Sequence, residues 1–175
     1  MNLCKKLAFS LTLLTTFLIF TNSRVQAQTV LTFNGLEITQ GHEEEGEAYG
    51  WVCYGRTTGG LPGNFTMTLD YTPNLKPGGD NTLTGGTWTL PVYTQTMSGL
   101  TYMGVLYGKV KEGKIEWDAL GYMGTMYANL SIDGGTQTLF GSRGSVEAKI
   151  TINHSPAAIA YGPPPMNGSL TIYFR

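Results

Sequence analysis

The chain has 175 residues, 41% of them hydrophobic and 13% charged, with a formal net charge of −1. This balance lacks the basic excess of a nucleic-acid binder and the low hydrophobicity of a disordered chain. With two cysteines in the whole sequence a disulfide scaffold is excluded, so a core and a hydrogen-bond ladder must hold the fold.

Residues 1–27 read as a secretory signal peptide. Lys5 and Lys6 supply the positive start, Leu7 to Phe20 an uncharged, mostly apolar run of 14 residues, and Val25-Gln26-Ala27 the cleavage site. The run is shorter than the ~20 apolar residues of a membrane-spanning helix. The expected mature chain is therefore 28–175, a single soluble domain, secreted or periplasmic, with no membrane span. Cleavage removes Lys5, Lys6 and Arg24, which leaves eight basic residues against twelve acidic ones and a net charge of −4, further evidence against nucleic acid as a partner. Cys4 leaves with the peptide. Cys53 remains alone within Trp51-Val52-Cys53-Tyr54, and its apolar surroundings predict a buried thiol over a bridge to a second chain.

The run His42-Glu43-Glu44-Glu45-Gly46-Glu47 is the densest charge cluster. Calcium loops alternate their ligands with spacer residues, whereas these glutamates are contiguous. The expectation is a solvated loop between Ile38 and Tyr49, with no metal.

Strands follow, each opened by a glycine. After Gly63, Phe65, Met67, Leu69 and Tyr71 share one face; after Gly86, Trp88, Leu90 and Val92 do so. After Gly144, Val146, Ala148, Ile150 and Ile152 alternate with polar residues, and after Gly168, Leu170, Ile172 and Phe174 repeat the pattern. Period-two alternation with one wet face predicts antiparallel strands. Gly59-Gly60-Leu61-Pro62-Gly63, Pro77-Gly78-Gly79-Asp80-Asn81 and Asp133-Gly134-Gly135 supply turns.

A repeat lies among these strands. Leu100-Thr101-Tyr102-Met103-Gly104 returns 20 residues later as Leu120-Gly121-Tyr122-Met123-Gly124. With a hairpin at Lys111-Glu112-Gly113, the repeat predicts three consecutive meander strands, the first and third running the same way. Both Tyr-Met-Gly triplets then start at one end of the sheet, with Gly104 and Gly124 facing inward. The fold class expected is all-β, an antiparallel β-barrel of about eight to ten strands, with a β-sandwich as runner-up.

Candidate sites are few. Tyr102, Met103, Tyr122 and Met123, exposed at one mouth, would offer an adaptable surface to a small hydrophobic or carbohydrate ligand; otherwise they cover the core. Glu116 and Asp118 alternate with Ile115, Trp117 and Ala119, so they share a face. Trp117 in the core would turn both carboxylates to solvent, whereas a polar lumen would make them an acid–base pair. His154 closes a strand and has no partner nearby in sequence. No catalytic triad, metal-binding histidine pair, phosphate loop or dinucleotide fingerprint is present, and no cofactor is expected.

The segment Gly134-Gly135-Thr136-Gln137…Phe140-Gly141-Ser142-Arg143-Gly144, leading into an alternating strand, resembles the Gly-Gly-Thr-Gly…Phe…Gly-Ala-Arg-Gly segment of dirigent proteins and allene oxide cyclases. Gln137 stands where that segment has its third glycine, and one extra residue precedes Phe140. Over residues 133–152 the resemblance implies a β-barrel around a hydrophobic cavity and transfers no catalytic residue. The functional expectation is a non-catalytic binding or structural module. The alternative is a barrel enzyme of the cyclase or isomerase type that shapes a small hydrophobic substrate.

Overall fold

The computed structural model describes residues 28–39, 42–44, 47–73 and 78–175. The expected signal peptide lies outside the described residues, as do Glu45 and Gly46 of the acidic cluster. The strands are β1 (Gln28–Thr39), β2 (His42–Glu44), β3 (Glu47–Gly59), β4 (Gly63–Thr72), β5 (Asn81–Thr96), β6 (Gly99–Trp117), β7 (Met123–Ile132), β8 (Gly134–Gly135), β9 (Gly144–Asn153) and β10 (Pro165–Phe174). A 3-10 turn at Gln137–Leu139 follows β8, and the four-residue helix α1 (Pro156–Ile159) follows β9.

Eight of these strands form a closed antiparallel barrel in the order β1-β10-β9-β7-β6-β5-β4-β3, and closure comes from β1 pairing with β3 as well as with β10. β2 extends the β1 end as a short hairpin on β3, with His42 opposite Tyr49 and Glu44 opposite Glu47. Within the solvated loop expected there, residues 42–44 and 47–49 are laddered backbone. Closure leaves the eight strands with no long free edge, which removes the usual template for unwanted strand pairing.

The alternating faces lie as the periodicity predicts. Phe65, Met67, Leu69, Trp88, Leu90, Val92, Val146, Ala148, Ile150, Ile152, Leu170 and Ile172 are all buried, while Tyr71 and Phe174 sit partly buried where their strands end. Across the lumen Phe33 meets Phe65 edge-on with ring centroids 5.6 Å apart, and Phe65 stacks on Trp88 at 6.0 Å. The Trp88 indole Nε1 donates to the Ser131 carbonyl at 2.9 Å, so the polar edge of this plug is satisfied. Truncating a plug residue such as Phe65 to Ala should cost ~3–5 kcal/mol. Cys53 is fully buried, as its apolar run predicts.

Three local expectations are corrected. Lys111-Glu112-Gly113 forms no hairpin. β6 runs unbroken through it, and the chain absorbs the irregularity as a register shift against β7 between Val110 and Glu112. The reversal comes later, at Asp118-Ala119-Leu120-Gly121. The Gly121 N–H donates to the Asp118 carbonyl at 2.9 Å, and the Tyr122 N–H donates to Asp118 Oδ1 at 2.7 Å. Aspartate at the first and glycine at the fourth position are what a type I turn favours. The two copies of the repeat therefore lie on neighbouring antiparallel strands, and their Tyr-Met-Gly triplets sit at opposite ends of the barrel. The inward assignment of Gly104 and Gly124 holds; the shared end does not. Likewise Asp133-Gly134-Gly135 is more than a turn, because Gly134 and Gly135 form β8 and pair with Tyr107 and Leu106 of β6.

Candidate functional site

β1 places Leu31, Phe33, Gly35 and Glu37 successively on its inner face, so the alternation that builds the core also carries one carboxylate into it. Glu37 is 2% exposed. Its backbone N–H donates to the Pro164 carbonyl at 2.9 Å, which ties this end of β1 to the proline-rich loop before β10. Its register partner on β3 is Cys53. Burial pushes the Cys53 thiol up to about 12, and the nearby Glu37 carboxylate adds to the shift. A thiol held protonated in this way is a poor nucleophile.

His154 follows the last residue of β9. Its backbone N–H donates to the Tyr122 carbonyl at 2.7 Å, and its side chain reaches over the barrel end to Glu37, with Nε2 2.6 Å from Oε2. The other carboxylate oxygen, Oε1, is buried with no protein donor, alone in this among the polar side-chain atoms of the described residues. The Trp117 ring lies 5.0 Å from the imidazole, tilted by 44°. Trp117 owes its position to Gly124 across the β6–β7 ladder, where any Cβ would come within 2.8 Å of the indole. Trp51 and Tyr71 meet edge-on at 6.3 Å. Together with Asn81 and Ile115 these residues enclose a cavity of about 170 Å³ at this end of the barrel. Tyr71, Asn81 and Trp117 are partly exposed and form its mouth.

The residues singled out from sequence fall in different places. Tyr122 and Met123 lie on the rim of this end, exposed, with the Tyr122 carbonyl holding the His154 backbone. Tyr102 is at the far end, its ring 5.6 Å from that of Tyr93, in an open groove of about 450 Å³ that also includes Arg56 and Leu100. Met103 packs partly buried against the core, and its carbonyl accepts from the Thr138 hydroxyl at 2.6 Å. Glu116 points outward and pairs with Lys114, and Asp118 organises the β6–β7 turn, so the two carboxylates do not converge. A larger hollow of about 790 Å³ lies on the outer wall across β6, β7, β9 and β10. Two pairs of its side chains already meet: Asn129 donates to Glu112 at 2.8 Å, and the Lys149 ammonium sits 5.5 Å from the centre of the Tyr127 ring. The smaller end cavity is the stronger candidate because, among the described residues, only there does a buried polar side-chain atom lack a partner.

Sequence reasoning passed over Glu37. The available signal was a charged residue in phase with Leu31 and Phe33. Its partner was not available, since His154 lies 117 residues away.

These elements define an antiparallel eight-stranded barrel with an aromatic-plugged lumen and one polar pocket at its end. Comparison of the chain with protein-family models, with curated proteins and with solved structures gives no match.

Proposed function

We propose that this protein is a secreted or periplasmic, non-catalytic binding module that takes a small ligand in the end pocket beside Glu37. The observation that carries this reading is the unpartnered Oε1 of a carboxylate buried among aromatic rings. A buried acceptor without a donor is costly, and a ligand that brings one offsets that cost. The aromatic plug of Phe33, Phe65 and Trp88 leaves the middle of the lumen to side chains, so the ligand sits at the end and is small. About 170 Å³ is below the ~300 Å³ at which drug-sized ligand pockets begin.

The resemblance of residues 133–152 to dirigent proteins and allene oxide cyclases remains part of the proposal. Gln137, in place of the third glycine, has a φ of +53°, the left-handed conformation that a glycine there would adopt without strain. A second reading, an isomerase-type enzyme, draws support from one feature: in the Glu37–His154 pair a proton acceptor and a proton donor are in contact beside a pocket.

A fragment screen by protein-observed NMR tests the binding reading. Fragments of a few heavy atoms should shift the indole signals of Trp51 and Trp117 and leave the deep Trp88 signal in place. If every hit maps to the outer wall or to the Tyr102 groove, the end pocket is not the site. Chemical conversion of a fragment, lost in Glu37→Gln, would favour the enzyme. N-terminal sequencing of exported protein should begin at Gln28.

A further inference from the structure

The lining of the end pocket has a composition that favours one ligand class. Three aromatic side chains, Trp51, Tyr71 and Trp117, surround a buried carboxylate. Trp51 and Tyr71 stand nearly at right angles, at 77°, so they form two differently oriented walls. Aromatic rings attract a cation through their quadrupole and offer a neutral polar group little in return. The carboxylate adds to the same preference. His154 Nε2 engages Oε2, and Oε1 still lacks a donor among the described residues, so the carboxylate presents one open acceptor to the pocket. A buried charge so placed favours a second cationic hydrogen-bond donor over a neutral one.

We infer that the pocket selects a small protonated alkylamine, whose N–H donates to Glu37 Oε1 while its methyl groups lie among Trp51, Tyr71 and Trp117. This rests on the binding-module reading above. The size agrees: a trimethylammonium ion has four heavy atoms, and the cavity of about 170 Å³ accommodates it where a bulky apolar substrate does not fit. The pocket holds Asn81 and His154 as further polar groups and Ile115 at its inner wall, and among the described residues no lysine or arginine lines it to repel a cation.

The test is an NMR titration of the protein at constant ionic strength, reading the three indole N–H signals. The probes are trimethylammonium chloride, which has charge and one N–H; tetramethylammonium chloride, which has charge and no donor; and tert-butanol, a neutral donor of similar size. Trimethylammonium should shift Trp51 and Trp117 saturably, leave Trp88 unmoved, and bind about tenfold more tightly than tert-butanol. Tetramethylammonium should fall between them. Glu37→Gln should weaken the preference for charge severalfold, and Tyr71→Leu should weaken trimethylammonium more than tert-butanol, which provides a second readout if Glu37→Gln folds poorly. Equal or tighter binding of tert-butanol overturns the cation assignment while leaving a binding pocket. Tetramethylammonium binding as tightly as trimethylammonium overturns the donor contact to Oε1. If none of the three moves Trp51 or Trp117, and the fragment screen also fails there, the binding reading falls with it.

Discussion

Glu37 and His154 meet at 2.6 Å across the end of the barrel, although 117 residues of chain separate them. The carboxylate side chain is 2% exposed and the imidazole 22%, so a buried carboxyl group is covered by its one side-chain partner among the described residues. Removing one member of such a pair is more damaging than removing both, because the survivor stays buried and unmatched. His154→Ala should cost ~3 kcal/mol or more, whereas Glu37→Gln, which discharges the site in place, should be close to neutral or stabilising. The double variant Glu37→Gln/His154→Ala should recover much of the His154→Ala loss. Chemical denaturation of the three variants checks this, and additive losses would show that the two residues are not energetically coupled.

Cys53 makes stability depend on alkaline pH. The unfolded thiol titrates near 9.0 and the folded one at about 12, because burial opposes the thiolate. The unfolded state therefore loses its proton first. The contribution is fully present below pH 9.0 and is lost as pH rises toward 12, at ~1.4 kcal/mol per pH unit. Denaturant midpoints of the parent should fall more steeply over this range than those of Cys53→Ala. In the native state the thiol should label slowly at neutral pH, and quickly once denaturant is added.

Gln137 is the one non-glycine residue with positive φ among the described residues. The left-handed conformation costs an L-residue ~1–2 kcal/mol, and glycine gives back ~0.5–1 kcal/mol through its freer unfolded chain. Gln137→Gly should thus stabilise the protein by up to ~1 kcal/mol, read as a higher denaturant midpoint at unchanged slope. A loss of stability would mean that the glutamine side chain makes a contact worth more than the strain.

Gly104 and Gly124 are both inward, yet they should not respond alike. Gly104 has a φ of +135°, and any Cβ there runs into the Thr136 backbone carbonyl, whereas at Gly124 the obstacle is the Trp117 side chain. A carbonyl held in the β6–turn contact cannot yield, but an indole at the pocket mouth can swing outward. Gly104→Val should cost more than ~3 kcal/mol, and Gly124→Val less, ~1–3 kcal/mol. Gly124→Val should also change Trp117 fluorescence, while Thr125→Val on the outer face is near neutral. Equal losses at the two glycines with unchanged fluorescence would contradict this asymmetry.

Much of the barrel was legible from residues that answer to local rules. The alternation of Phe65, Met67 and Leu69, or of Val146, Ala148 and Ile150, follows from the two-residue period of a strand, and the same rule places Cys53 inside. The repeat correctly turned Gly104 and Gly124 inward for that reason. Its end-for-end placement failed because two local turn signals competed. Lys111-Glu112-Gly113 yielded to the strand ladder, and Asp118-Ala119-Leu120-Gly121 took the reversal through its own hydrogen bonds. That choice is made by register with the neighbouring strands, which no short window contains. The site lies further still from sequence. Glu37 could be read as an inward charge from its phase with Phe33, but its pairing with His154 arises only when β1, β10 and β9 ladder side by side and bring two distant strand ends together. Sequence alone therefore determined which face each side chain takes. Tertiary structure decided which ends meet, because barrel closure is a non-local constraint on the whole chain.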